Sequence, residues 1–176
     1  SYSVEEGSAM VRAALSNQRV TQMGNHIHND LPNYRRVVEL VQSGSLGRIT
    51  RVHCWKTSPT KGRGNPPDTE PPPGLDYDFW LGPAPKRPYN PLRSHRTFRH
   101  FWDYSGGTFI DFWCHIVDVV YWALDLKAPR GVSASGGRFF VKDATETPDV
   151  MEAVLEFPEL TLVFTFHPKP LPGFEH

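Results

Sequence analysis

Cysteine, methionine and net charge are all scarce in this 176-residue chain. The two cysteines, Cys54 and Cys114, lie far apart in apolar settings. No disulfide framework is encoded, and both are expected to be buried free thiols of a reducing compartment. Nineteen Lys and Arg balance nineteen Asp and Glu. The basic excess that a nucleic-acid or anionic-membrane partner demands is therefore missing. No signal peptide opens the sequence. The longest apolar run, 109–124, is interrupted by Asp111, His115 and Asp118, and it falls short of the roughly 20 residues of a membrane span. The expectation is a soluble, cytoplasmic protein. Catalytic signatures are missing as well. There is no G-x-G-x-x-G between a strand and a helix, no Walker A and no G-x-S-x-G, so these residues encode no nucleotide site.

Proline, by contrast, is plentiful, and it punctuates the chain. Five of the fourteen residues of "KGRGNPPDTEPPPG" (61–74) are proline and three are glycine, which requires a loop. Before it, Ser3-Val4-Glu5-Glu6 fits a capping box opening a helix to about Ser16. Val20 to Gly24 reads as a short buried strand with 25–29 as its exposed end. A second helix is predicted from Pro32 to about Ser43, with Asp30 as N-cap, Tyr34, Val37, Val38 and Val41 on one face, and Gly44 as the stop. After Gly47, "RITRVHCWKTS" alternates as a half-exposed strand does. Three more strands are predicted near 131–141, 149–157 and 160–166, the last two joined at Pro158-Glu159. Helix, strand and helix followed by a sheet with one long helix make an α+β layout.

That long helix, "GGTFIDFWCHIVDVVYWAL" (106–124), carries the chemistry. Asp111 and His115 are one turn apart on one face, and Asp118 extends the stripe. A carboxylate beside an imidazole orients the ring and stabilises its charged form, as a proton acceptor for a substrate hydroxyl requires. A buried structural pair has the same spacing. Gly106-Gly107 permits close backbone approach or simply starts the helix. His26 and His28 alternate on one side of an extended segment and could supply two metal ligands or be polar strand-end residues. "HRTFRHFWDYSGG" offers Arg96, Arg99, His100, Trp102 and Tyr104, suited either to a polyol or to an aromatic cluster under the long loop.

Taken in order, "LGRITRVHCW", "DYDFWLGPAP", "FWDYSGGTFIDFWCHIVDVVYWAL" and "ETPDVMEAVLEF" resemble the glucose-fructose oxidoreductase, inositol dehydrogenase and rhizopine-catabolism (Gfo/Idh/MocA) family over essentially the whole chain. The resemblance implies that 1–45 is the tail of a Rossmann domain and 46–176 an incomplete C-terminal α+β domain, with an open, mainly antiparallel sheet and one long buried helix. It implies NAD or NADP as cofactor and hydride transfer to or from a sugar or polyol carbinol. His115 would be the proton acceptor and Asp111 the residue that tunes it. The family's Glu-Lys-Pro lysine has no counterpart, since Ser1 resembles the residues after it. The chain would be a fragment cut at both ends and inactive alone. Asn25, His26 and His28 would line the sugar pocket, with Arg99 and Trp102 beside them. Asp118 would be structural and no metal would be bound. A homo-oligomer through the open sheet face is expected. Two other readings remain: a non-catalytic sugar-binding or dimerisation module, and a metal-dependent hydrolase using His26, His28, Asp111 and His115.

Overall fold

The computed structural model describes residues 3–24, 32–58 and 61–169. The first helix, α1 (Val4–Ser16), starts where Ser3 places its hydroxyl to accept the Glu6 amide at 3.2 Å. None of its residues is buried. Residues 20–24 are not a strand, and Val20 and Met23 are exposed. An extended segment becomes a strand only beside another whose amides and carbonyls it can bond, and no described strand lies next to this one.

The second helix, α2 (Pro32–Gln42), buries Val38 and half-buries Tyr34 and Val41. Val37 sits off that stripe and is exposed. Gly44, at φ +74°, closes the helix by donating its amide to the Val41 carbonyl, a backbone conformation open to glycine at little cost.

Four strands form one sheet: β1 (Arg51–Thr57), β2 (Gly131–Gly137), β3 (Val150–Glu156) and β4 (Thr161–His167), in the order β1-β4-β3-β2. β4 pairs antiparallel with β3 and parallel with β1, so the sheet is mixed with two of its three pairings antiparallel. Phe157 and Leu160 close the β3–β4 hairpin with a 2.9 Å backbone bond. β2 ends at Gly137, shorter than its sequence suggests. The amides of Phe139, Phe140 and Val141 turn away to the buried Asp149 carboxylate at 2.9, 3.0 and 2.7 Å. A carboxylate that satisfies three amides competes with the ladder and wins.

A five-residue helix, α3 (Tyr77–Leu81), capped by Asp76, and two 3-10 turns, Pro91–Arg93 and His95–His100, follow the proline-rich loop. The loop is fastened by Asn90 to Asp68 and by the Asp143 carboxylate to the Arg63 amide. The long helix, α4 (Gly107–Leu124), lies across one face of the sheet. Phe109 and Trp113 meet Phe164 edge-on at 5.0 and 5.3 Å between centroids. Leu162, Phe164 and Phe166 are 0, 0 and 1% exposed. Burying side chains of this size is worth about 1.5–3 kcal/mol each, so this contact anchors the helix. No described helix is long and apolar enough to cross a membrane.

Candidate active site

The site begins where α4 begins. Gly107 has φ +80°, and a Cβ there would lie 2.6 Å from Thr147 Oγ1. Glycine is required twice over, by the left-handed backbone and by the close approach of the 138–149 loop. That loop is held by the Glu146 and Thr147 amides, which donate to the His100 carbonyl at 2.8 and 3.2 Å. The Glu146 carboxylate accepts from the Trp102 amide at 2.9 Å and from Arg87, which also binds Asp103 at 2.6 Å.

At about 3.6 residues per turn, Phe109, Trp113, Val117 and Val120 share the side of α4 that meets the sheet, whereas Asp111, His115, Asp118 and Trp122 fall on the opposite side. All four of the latter are half-buried, as befits a stripe turned from the core without being fully in solvent. The apolar helix therefore buries little of its charge. Cys114 lies on the same outward side and is exposed, not buried as its apolar neighbours in sequence suggest. Helical period, not local hydropathy, decides its environment. Cys54 is buried in the core, and burial pushes its thiol up to about 11.

Asp111 does not hydrogen-bond His115 among the described residues. Its Oδ2 lies 3.1 Å from Arg99 Nε. The geometry is an ion pair and not an aligned hydrogen bond, because Arg99 Nε is shielded from solvent yet makes no aligned bond. With both side chains about one-third exposed, the pair contributes about 0–1 kcal/mol. Arg99 Nη1 donates to the Arg96 carbonyl at 2.7 Å, which fixes the 3-10 turn. His115 stands edge-on to Phe112 at 6.3 Å, and Lys56 sits 4.0 Å above the Phe112 ring, a cation-π contact.

His100 is the last residue of this turn, and its surroundings disfavour the charged imidazolium. Burial, then the nearby Arg63 and Arg99 charges, pull it down to about 4 against the opposing Asp143 and Asp111. A cavity of about 520 Å³ opens beside Trp80, Phe98, Asp103 and Tyr104. Burial, with Tyr77 adding to it, pushes Tyr104 up to about 12. Asp111 and His115 do not line that cavity. Trp102 is 49% exposed at its edge of the turn. Asn25, His26, His28 and Asp30 lie outside the described residues. Among the described residues, no three His, Cys, Asp or Glu side chains gather as a metal site does.

Sequence reasoning missed Asp149, Glu146 and Arg87, which hold the turn and loop in place. Their partners lie 8 to 59 residues away, and no spacing rule connects them.

Residues 33–138 match the model of an oxidoreductase family, the C-terminal alpha/beta domain of the Gfo/Idh/MocA group. The chain belongs to this family. No curated protein sequence matches it. Among solved structures, the fold resembles the WlbA dehydrogenase of Chromobacterium violaceum in complex with NADH and UDP-GlcNAcA. The TM-score is 0.63 and the identity 15%, over 96% of this chain and 39% of that one. The Bordetella pertussis WlbA dehydrogenase, again with NADH and UDP-GlcNAcA, gives 0.63 and 18%, over 98% and 43%. The oxidoreductase yvaA of Bacillus subtilis gives 0.60 and 16%, over 97% and 38%. The chain thus spans about two-fifths of the length of these Gfo/Idh/MocA neighbours. Their low identity speaks to the fold alone.

Proposed function

We propose that this chain is the substrate-side part of an NAD(P)-dependent dehydrogenase acting on a sugar or polyol carbinol. One observation carries the reading. In a chain of an oxidoreductase family, Asp111 and His115 stand one turn apart on the side of α4 that faces away from the sheet, half-buried and held by a rigid element.

The chemistry follows from these residue types. A neutral imidazole takes the proton from the carbinol oxygen, and a carboxylate one turn away stabilises the imidazolium that results. Asn25, His26 and His28, with Arg99 and Trp102, are the proposed contacts to the sugar. A bound nicotinamide supplies the hydride acceptor. Its pyrophosphate calls for a glycine-rich loop at a helix start, and residues 1–176 hold no such sequence. This stretch alone is therefore expected neither to bind NADH nor to turn over. Micromolar NADH affinity in a fluorescence titration of these residues would contradict that. The sheet face opposite α4, where Trp55 accompanies the His53–Thr165–Glu152 hydrogen-bond run, is the proposed surface for a second copy.

The test is kcat/KM in the complete protein. His115→Gln should remove most of it, about 10²–10⁴-fold. A kcat/KM within a few-fold of that of the unmodified protein would overturn the assignment.

A further inference from the structure

The Arg99–Asp111 pair has a feature that a purely structural ion pair does not need. Arg99 Nε lies 3.1 Å from the carboxylate, yet its N–H is not aimed at it. A guanidinium carries five donors in a planar fork that matches an oxyanion two bonds at a time. Here it makes one bond to the Arg96 carbonyl and this misaligned contact, and its guanidinium lies 5.6 Å from the centre of the Phe98 ring. Both side chains keep about a third of their surface open, at 31 and 34%.

The charge around it is uneven. Arg96 and Arg99 share one 3-10 turn, and Arg63 is near enough to depress His100. The neighbouring acids are committed elsewhere. Asp143 takes Arg138, Thr145 and the Arg63 amide, while Asp103 and Glu146 take Arg87. Among the described residues, Asp111 is the acid paired with Arg99, and it is also the acid His115 needs.

We propose that Arg99 reads an oxyanion on the substrate. A carboxylate or phosphate on the sugar competes with Asp111 for the guanidinium, and when it occupies Arg99 it releases Asp111 to His115. The structure holds the resting arrangement, with the acid on arginine and, among the described residues, no carboxylate hydrogen-bonded to His115. Substrate binding completes the acid–imidazole pair only when the right charge is present, so specificity and activation come from one exchange. The scale fits one ring. Residues one helical turn apart have Cβ atoms roughly 5–6 Å from each other, so the anion belongs on the same sugar as the reacting carbinol. This inference rests on the roles given above to Asp111 and His115.

Competition has a sign that a structural pair does not share. The complete protein is titrated with D-glucuronate, D-glucose 6-phosphate and neutral D-glucose. At least one anion should bind about tenfold more tightly than glucose, and the tighter of the two names the oxyanion. Asp111→Asn removes the internal competitor while keeping its shape, so it should tighten binding of that anion several-fold relative to glucose. Arg99→Met should erase the preference, and Arg99→Lys should keep part of it. Weaker or unchanged anion binding in Asp111→Asn, a preference that survives Arg99→Met, or no preference in the unmodified protein would each overturn the proposal. None of these readouts uses turnover. Loss of rate in His115→Gln alongside a failed competition would leave the dehydrogenase reading standing and remove this one.

Discussion

Replacing Gly107 by alanine perturbs the hinge on which the site turns. The new Cβ would sit 2.6 Å from Thr147 Oγ1 and 2.7 Å from Thr147 Cβ, where carbon contacts are at their best near 3.5–4.0 Å. Thr147 is 3% exposed and β-branched, hence stiff at χ1, so it cannot swing clear. Overpacking of this kind costs about 1–3 kcal/mol. The backbone at φ +80° adds roughly 1–2 kcal/mol for an L side chain. The smaller entropy of the unfolded alanine chain offsets about 0.4–1 kcal/mol. The net loss is roughly 2–4 kcal/mol, to be read from urea unfolding followed by tryptophan fluorescence. Gly106 is the internal control. Its φ is −97°, and the nearest atoms its Cβ would meet belong to Ile110, which is 52% exposed and lies at the helix surface. Gly106→Ala carries no left-handed backbone strain and meets no buried partner, so it should cost less than Gly107→Ala by about 1–2 kcal/mol. Equal costs at the two positions, or less than about 0.5 kcal/mol at Gly107, would refute the close-approach account of the helix start.

Other outcomes follow from the same structure. Asp149→Ala strands three backbone amides and should lower stability by about 2–4 kcal/mol in thermal unfolding. His100 has its folded pKa depressed to about 4 from 6.5, so the unfolded chain binds the extra proton between those values. Stability should be full above about 6.5 and fall as pH drops toward 4, and His100→Gln should flatten that slope in unfolding curves. A maleimide reagent should label Cys114 quickly in the folded protein and reach Cys54, buried with its thiol pushed up to about 11, only after denaturation.

Much of this architecture was legible in the sequence. The Ser3 N-cap, the 107–124 helix and the alternation in β3 and β4 are local signals. Each is set by residues within one or two turns of the chain, and each appears close to its expected bounds. The family itself was readable from the order of its blocks. What the sequence hid depends on partners far away. Val20 to Gly24 has a strand's composition, but composition supplies no neighbour to bond. The 131–141 run stops early because Asp149 captures the amides of 139–141. Cys114 has apolar neighbours in sequence and solvent in space. The Asp111–His115 spacing was visible, whereas the Arg99 guanidinium on Asp111 comes from twelve residues upstream through a turn that no periodicity marks. Asp118 was expected to be structural, and it lies in the same outward stripe.

Whether α4 presents a proton acceptor is decided by one pair of numbers on the complete protein. For His115→Asn, kcat on the oxidised substrate and the Kd for NADH are measured side by side. The kcat should be lower by about 10²–10⁴-fold, the usual weight of a positioned acid–base group, with NADH affinity near that of the unmodified protein. A kcat within a few-fold of normal, or equal losses in kcat and NADH affinity, would contradict it.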